Sequence, residues 1–330
     1  MKKAIALILA AMMMVLCCAC SSTGTNNKAK AQLRFVTGGE GGTYYAFGSV
    51  LAQHATNNAG ISVTGIVGNG SKSNINEMED GNAELAFCQS DVMAYAYEGT
   101  NLFEKPVTCF STVAALYTEQ VQIVTLDENI KTVADLEGKK VSVGAAGSGT
   151  YFNAVDILSA YGIGDLDADG KFTKIDATYQ SFADSADALK DGKIDAAFIV
   201  AGAPTTAVVD LSTTKAVHLV ALDDEHIDIL LAQSPYYVKD TIAKDVYNLA
   251  EDVTTVGVGA VILAKNDVSE DAIYAFVADI FNNYQDLTAS HAKYGELSLE
   301  YASSITSVPY HAGAAKYFAE KGITVPTVAK

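Results

Sequence analysis

The feature that most constrains the fold of this chain is a strand-to-helix junction that occurs twice. A short apolar run at 33–36 leads into GGTYYAFGSVLA at 41–52, and a second run at 140–143 leads into SGTYFNAVDILS at 148–159. Each junction contains Gly-Thr-Tyr followed by an aromatic residue, and apolar residues then recur at helical spacing. Two strands that turn through glycine into a helix therefore indicate an internal duplication.

The duplication continues beyond these junctions. In each copy an Asp-Gly turn, Asp80-Gly81 in the first and Asp191-Gly192 in the second, leads into a further strand-like run that contains Ala-Phe. Strands that alternate with helices are typical of α/β proteins with mostly parallel sheets. The sequence therefore predicts an α/β fold of two lobes, each a mostly parallel sheet flanked by helices.

Two long apolar runs, 107–126 and 226–238, belong to neither copy, and we expect both to be strands that cross between the lobes. Further on, Ser269 begins an amphipathic helix that should pack on the first lobe. A length of 330 residues also suits two domains. The predicted organisation is a signal peptide at 1–20, a flexible tether at 21–32, lobe I at 33–120 and 226–330, and lobe II at 121–225.

The first residues have the pattern of an export signal. Lys2 and Lys3 precede an apolar stretch at 4–16 that is too short to span a bilayer. The cysteines that follow resemble the lipidation box of bacterial lipoproteins, in which the cysteine after the cleavage site is acylated. The preceding alanine favours Cys20 for this role, with Cys18 as the alternative, and an ordinary soluble signal peptide stays open. We therefore expect a lipid anchor in the bilayer and a location at the outer face of the cell membrane.

Composition argues against several classes of function. Hydrophobic residues make up 49% of the chain and charged residues 18%, as in globular proteins. The formal net charge of −17 argues against nucleic acid as a partner, because a phosphate-binding surface needs lysine and arginine. After the signal region only Cys88 and Cys109 occur, and we expect buried free thiols rather than a disulfide. The cysteines and histidines lack zinc-site spacing, so we expect neither a metal nor a cofactor.

Enzyme motifs are incomplete in this sequence. Residues 144–149 match GxxGxG, and Tyr317 and Lys321 have the spacing of short-chain dehydrogenases, but the bulky Tyr151 stands where a pyrophosphate would pass. Around Ser148 the sequence AGSGT fails the nucleophile elbow GxSxG at both outer positions. We therefore predict that the protein is not an enzyme. The alternative is an exported enzyme that acts on a small carboxylate in the same cleft.

Both junctions have the chemistry of half an anion site. In open parallel sheets, ligands bind beyond the carboxyl ends of the strands, where helices begin. A helix N-terminus offers unpaired N–H groups and the positive end of its dipole, which suits a carboxylate or a phosphate. Gly42 and Gly149 allow the backbone to approach a ligand, and Thr43 and Thr150 add hydroxyl donors. If the junctions face each other across a cleft, they enclose a small organic anion; ordinary capping turns are the alternative.

Further polar residues stand at strand ends on the same predicted edge. Ser71 and Asn74 follow a second glycine-rich turn, and Ser90 or Asp91 follows a buried strand, where helix capping is the alternative role. The segment 201–206 occupies the equivalent position in the second lobe. We expect these segments to contribute to the same cleft.

Together these segments resemble the TAXI family, the solute-binding receptors of some tripartite ATP-independent periplasmic (TRAP) transporters. The resemblance rests on TGGEGGTYYAFGSVLA, GNGSKSNINEMEDGNAELAFCQSD, VSVGAAGSGTYFNAVDIL and AGAPTTAVVDL, and it runs from about Leu33 to the C-terminal helices. It implies a two-lobe periplasmic binding protein fold of type II, with crossing hinge strands. It also implies a receptor that closes on a small carboxylate, such as a glutamate- or glutamine-like solute, and delivers it to membrane permease subunits.

The resemblance also implies which residues line the pocket. The implied pocket residues are Gly42, Thr43, Tyr44, Ser71, Asn74, Gln89, Ser90, Asp91, Ser148, Gly149, Thr150, Gly202 and Pro204. The chain departs from the usual family pattern at Asn69-Gly70 and at Ala201, close to two of these segments.

Overall fold

The structure is a computed structural model that describes residues 30–327. The predicted signal peptide, the predicted acylated cysteine (Cys20 or Cys18) and most of the tether lie outside the described residues. Within the described residues, no helix is both long enough and apolar enough to cross a membrane.

Ten strands, ten helices and three short 3-10 turns make up the secondary structure of the described residues. The strands are β1 Gln32–Val36, β2 Ser62–Ile66, β3 Leu85–Gln89, β4 Phe110–Thr125, β5 Lys140–Ser142, β6 Asp176–Thr178, β7 Ala196–Ala201, β8 His218–Leu219, β9 Val238–Ile242 and β10 Val253–Lys265. The helices are α1 Thr43–Asn58, α2 Ser71–Glu79, α3 Ser90–Glu98, α4 Gly149–Ala160, α5 Phe182–Lys190, α6 Thr206–Ser212, α7 Asp224–Gln233, α8 Glu270–Leu287, α9 Leu299–Ala302 and α10 Ala312–Glu320. The 3-10 turns are Val133–Leu136, Lys244–Val246 and Ala292–Glu296.

The strands form one sheet that passes through both lobes in the order β2-β1-β3-β10-β4-β7-β5-β6. Lobe I contains the parallel strands β2, β1 and β3, and lobe II contains the parallel strands β6, β5 and β7. Strands β4 and β10 are antiparallel to each other and to their other neighbours. One continuous sheet with a parallel part in each lobe, flanked by helices and joined through crossing strands, confirms the predicted type II periplasmic binding protein fold.

Strands β4 and β10 connect the lobes. Residues 110–120 of β4 pair with β10, and residues 120–125 pair with β7 of lobe II. Strand β10 pairs with β9 through residues 253–257 and with β3 of lobe I through residues 260–264. The crossing strand predicted at 107–126 is therefore confirmed, and the second crossing strand is β10.

The prediction of a crossing strand at 226–238 is wrong, because most of this run forms helix α7. The Asp223 side chain caps the helix by accepting a hydrogen bond from the backbone N of His226 at 3.1 Å. Acidic residues in the first turn suit the positive end of the helix dipole. Ile227 and Leu230 lie at helical spacing and are buried in the core of lobe II. Helix α7 therefore packs on lobe II, whereas Ser234 and Tyr236 after it contact Tyr95 of lobe I. The other lobe boundaries stay predictions.

The cores of lobe I bury both faces of its sheet. Phe35 and Phe47 pack with Phe276 of α8 in one core, so the C-terminal helices cover lobe I. Strand β3 is buried along its whole length, as expected for a central strand in a parallel sheet. Cys88 on β3 and the half-buried Cys109 are free thiols, as predicted.

Candidate ligand-binding site

A cavity of about 300 Å³ lies between the lobes. Its wall is built mainly from four segments in which a strand has ended and a helix begins: 38–44, 67–71, 148–150 and 180–183. The cavity is therefore at the carboxyl ends of the parallel strands of both lobes, where ligands bind in open α/β sheets.

Four helix N-termini meet at this cavity, those of α1, α2, α4 and α5. Gly42 and Gly70 are the N-cap residues of α1 and α2, and neither has a side chain that caps the first turn. Gly70 has a φ of +97°, a conformation that favours glycine. Ser148 caps α4, because its hydroxyl accepts a hydrogen bond from the backbone N of Tyr151 at 3.2 Å. The first turns of α1 and α2 therefore lack a capping side chain, and their dipoles favour negative charge in the cavity.

Hydrogen bonds join the lobes around the cavity. The Thr43 hydroxyl of lobe I donates to the carbonyl O of Gly202 in lobe II at 2.8 Å. The backbone N of Ser73 in lobe I donates to the carbonyl O of Gly147 in lobe II at 3.0 Å. The cleft between the lobes is therefore closed in this structure.

The lobes approach each other closely at Gly149, the first residue of α4. A Cβ atom added there would overlap the side chain of Gln89 and lie 2.7 Å from the hydroxyl O of Ser71, both in lobe I. Ser71 and Gln89 hold each other in place, because the backbone N of Gln89 donates to the Ser71 hydroxyl O at 3.0 Å. The closed cleft therefore requires glycine at this position.

A buried carboxyl group, Glu119 on β4, forms part of the cavity wall. The side chain of Tyr44 donates a hydrogen bond to its Oε2 at 2.8 Å, and the Gln89 side chain is a second hydrogen-bond partner. Tyr44 is held in turn by stacking on Phe87, with ring centroids 4.5 Å apart. Burial raises the pKa of Glu119 to about 8. Within the described residues, neither lysine nor arginine lines the cavity.

The sequence analysis did not identify Glu119. The available signal was an acidic residue inside a long apolar run, LYTEQVQIV, at a position where β4 was expected to be a buried strand. Phe182, Gln180 and Val67 also line the cavity and were not predicted. Val67 stands in the second glycine-rich turn, but its apolar side chain gave no sign of a ligand, and Gln180 and Phe182 belong to a turn and a helix start without a distinctive motif.

Most of the predicted pocket residues come together in this structure. Those that line the cavity are Gly42, Thr43, Tyr44, Ser71, Gln89, Ser148, Gly149 and Thr150.

Four predicted residues lie next to the cavity without lining it. Asn74 donates hydrogen bonds to the carbonyl O of Thr37, directly after β1, and to that of Phe87 within β3, and Ser90 accepts one from the backbone of β10. Gly202 receives the Thr43 hydroxyl, and Pro204 follows a cis peptide bond two residues later. These residues therefore support the segments that line the cavity without facing it.

Asp91, the remaining predicted residue, belongs to a buried polar cluster between the lobes. Its Oδ2 accepts a hydrogen bond from Nδ2 of Asn153 on α4 at 2.8 Å. The same Nδ2 donates to the hydroxyl of Tyr237, which donates to Oδ2 of Asp156 at 2.9 Å. Burial raises the pKa of Asp91 to about 7 and that of Asp156 to about 6. The cluster therefore contains two carboxyl groups that ionise less readily than in water.

The groups around the cavity form no recognisable catalytic arrangement. The Ser148 hydroxyl accepts from its own helix, and His54 and His226 pair with Asp279 and Asp223 away from the cavity. Among residues 30–327, no cluster of three His, Cys, Asp or Glu side chains could hold a metal ion. The geometry suits binding between two lobes.

Comparisons with known proteins agree with this architecture. A family model described as the NMT1-like family matches residues 35–322. Among solved structures, a protein from Bordetella bronchiseptica RB50 aligns over 88% of this chain and 89% of its own, with 17% identity and a TM-score of 0.51. An ancestral arginine-binding protein bound to arginine aligns over 81% of this chain and 98% of its own, with 14% identity and a TM-score of 0.50. At such identities the likeness is one of fold, that of type II periplasmic binding proteins.

Proposed function

This chain belongs to the NMT1-like family, and from that premise we propose that it is an extracytoplasmic solute-binding receptor. Its two lobes close on a small organic anion in the cavity between them. The observation that carries the proposal is the closed cavity at the N-termini of α1, α2 and α4. A cavity of about 300 Å³ suits a metabolite of amino-acid size.

The anionic group of the solute would bind at the helix N-termini. Gly42 and Gly70 provide no capping side chain, so a carboxylate can take the place of the cap and accept hydrogen bonds from first-turn N–H groups. The hydroxyl of Thr150 and the amide of Gln89 stand at the same wall. Hydrogen bonds to an ionised acceptor are strong enough to hold the anion without lysine or arginine.

We further propose that the receptor delivers its solute to the membrane subunits of a TRAP-type transporter. The motifs that resemble the TAXI family support this assignment, and so does the expected export signal with an acylated Cys20 or Cys18. A lipid anchor would keep the receptor at the outer face of the membrane, close to those subunits. The shared fold of a protein that binds arginine supports a small solute as the ligand.

In this proposal the protein is not an enzyme, and the solute leaves unchanged. An exported enzyme that acts on a small carboxylate is the alternative, because it would use the same cavity. Mass spectrometry of a bound carboxylate after prolonged incubation separates the two roles, since the receptor returns the same mass and the enzyme a new one.

The proposal is tested by thermal denaturation of the full-length chain with a panel of amino acids, keto acids and dicarboxylates. A ligand that binds only the folded state raises the melting temperature with its concentration. Calorimetry on the best ligand then compares Thr150→Val, which removes a hydroxyl at the cavity wall, with Thr288→Val, which removes one from the exposed end of α8.

We expect Thr150→Val to weaken binding about tenfold, because a hydrogen bond to a charged group is lost, and Thr288→Val to leave binding unchanged. A panel in which no small anion raises the melting temperature would contradict the proposed function. Equal affinities of the two variants would contradict the assignment of the site.

A further inference from the structure

Among the described residues, the charged side chains that line the cavity are all acidic. What we infer from them rests on the proposed function of the preceding subsection. Glu119 and Glu40 both line the cavity, whereas the lining within the described residues includes neither lysine nor arginine. Glu40 is exposed at the mouth, but only 2% of Glu119 is exposed. One wall of the cavity therefore has the positive ends of helix dipoles, and another has a carboxyl group.

Glu119 is held in place but has no salt-bridge partner among the described residues. The hydrogen-bond partners of its carboxyl group, the side chains of Tyr44 and Gln89, are both uncharged. The neighbouring Lys293 is also buried, but its Nζ donates to Glu296 at 2.7 Å. A buried carboxylate without a counter-charge is costly, so an ionised Glu119 requires a positive group from outside the protein.

We propose that Glu119 determines specificity by accepting the protonated nitrogen of a ligand whose carboxylate binds at the helix N-termini. The ligand class is then the zwitterionic amino acids. Dicarboxylates and keto acids of the same size place a negative or uncharged group against this carboxyl group. They bind less tightly, because they offer no positive group to the ionised form of Glu119.

This arrangement links binding to the proton on Glu119. In the closed cavity of this structure burial raises the pKa of Glu119 to about 8, so with no ligand in the cavity the group is mostly protonated at neutral pH. A bound ammonium favours the ionised form, so its affinity rises as the pH rises through about 8. A keto acid has no such group, so its affinity does not gain from the ionisation of Glu119.

Other titratable groups lie around Glu119 and also affect its charge. The groups that face it are Tyr44, Cys88, Asp91, Tyr117, Lys293 and Tyr301. Asp91 in particular ionises near neutral pH, but it lies in the cluster between the lobes and affects closure on any ligand. Because the charge of Asp91 also raises the pKa of Glu119, the contribution of Glu119 is isolated by comparing the ratio of the amino-acid and keto-acid affinities in wild type with the same ratio in Glu119→Gln.

The experiment measures this ratio by calorimetry on the full-length chain. The probes are three matched pairs, L-glutamate with 2-oxoglutarate, L-leucine with 4-methyl-2-oxopentanoate and L-alanine with pyruvate, from pH 6 to pH 8.5. The variants are Glu119→Gln and, as a matched control, Glu104→Gln on the exposed surface. Because Glu119→Gln could fail to fold, the pH profile of the wild-type ratio provides an independent test.

In at least one pair we expect the amino acid to bind wild type about ten- to a hundredfold more tightly, with a ratio that rises with pH. Glu119→Gln should reduce the ratio to near one and flatten its pH profile, whereas Glu104→Gln should leave both unchanged. Keto acids that bind as tightly as their amino acids, or a Glu119→Gln ratio equal to that of wild type, would overturn the inference and leave the proposed function intact. If no probe of any pair binds, both the proposed function and this inference fail.

Discussion

The substitution Gly149→Ala tests whether ligand binding requires the close approach of the lobes. The added Cβ atom would overlap the Gln89 side chain and lie 2.7 Å from the hydroxyl O of Ser71, inside the 3.0 Å limit that real Cβ contacts respect. Both neighbours are almost fully buried, with exposed fractions of 2% and 1%. Because both side chains are packed between the lobes, we expect the added methyl group to keep the lobes further apart.

The expected magnitude follows from the cost of overpacking a buried contact, which is about 1–3 kcal/mol. This penalty acts on the closed form and not on a form with separated lobes. It therefore appears in the binding equilibrium, where it corresponds to a dissociation constant about 5- to 150-fold higher. The stability of the ligand-free chain should not fall, because alanine is favoured over glycine in a helix by up to about 1 kcal/mol.

The measurements are calorimetric titration with the tightest-binding probe and denaturant unfolding of the ligand-free chain. Gly295→Ala is the matched control, because a Cβ atom at Gly295 meets nothing within 4 Å. A dissociation constant for Gly149→Ala within about twofold of wild type would refute the reasoning, since 1 kcal/mol already corresponds to about fivefold. An equal loss of affinity in Gly295→Ala would refute it as well.

Two further predictions concern stability. Because burial raises the pKa of Asp91 to about 7, above its value in the unfolded chain, the stabilisation from its neutral form is complete below about pH 4 and is lost as the pH rises through 7. The unfolding free energy of wild type should therefore fall between pH 5 and pH 8, and in Asp91→Asn this fall should be smaller by about 1–3 kcal/mol, as measured by urea titrations. An unchanged pH profile in Asp91→Asn would contradict the argument that burial raises the pKa of Asp91. Ser269→Ala removes the hydroxyl that accepts from the backbone N of Ala272 at 3.2 Å and should lower the unfolding free energy by about 1 kcal/mol. Its ligand affinity should stay within about twofold of wild type, and a larger loss would mean that α8 contributes to the site.

The duplicated junctions were sufficient to predict both the fold class and one side of the cavity in each lobe. Glycines and a threonine between a strand and a helix have a local geometric meaning, so Gly42 and Gly149 could be assigned to facing helix starts without coordinates. Ser71 and Gln89 follow because they too stand where parallel strands end. Both the turn motif at a strand end and the rule that parallel strands end at the same edge of a sheet can be used with the sequence alone.

Contacts between distant segments were not predictable in this way. Glu119 lies at the cavity only because β4 crosses between the lobes at that residue, which depends on pairing with β10 and β7. Asn74 and Ser90 were assigned to the pocket because polar side chains at strand ends suit a ligand, yet they satisfy backbone groups instead. The run at 226–238 was read as a strand because its apolar content was weighed without the helix cap at Asp223.

Glu119 lies next to Gln120, the residue at which β4 pairs with β10 and also with β7. In a receptor that opens by bending its two crossing strands, this point is displaced least, while α4 moves away with lobe II. A solute held at Glu119 and at the N-termini of α1 and α2 would then stay on lobe I at the start of opening, while water enters on the side that α4 leaves. A membrane subunit which separates the lobes would therefore receive the solute from lobe I.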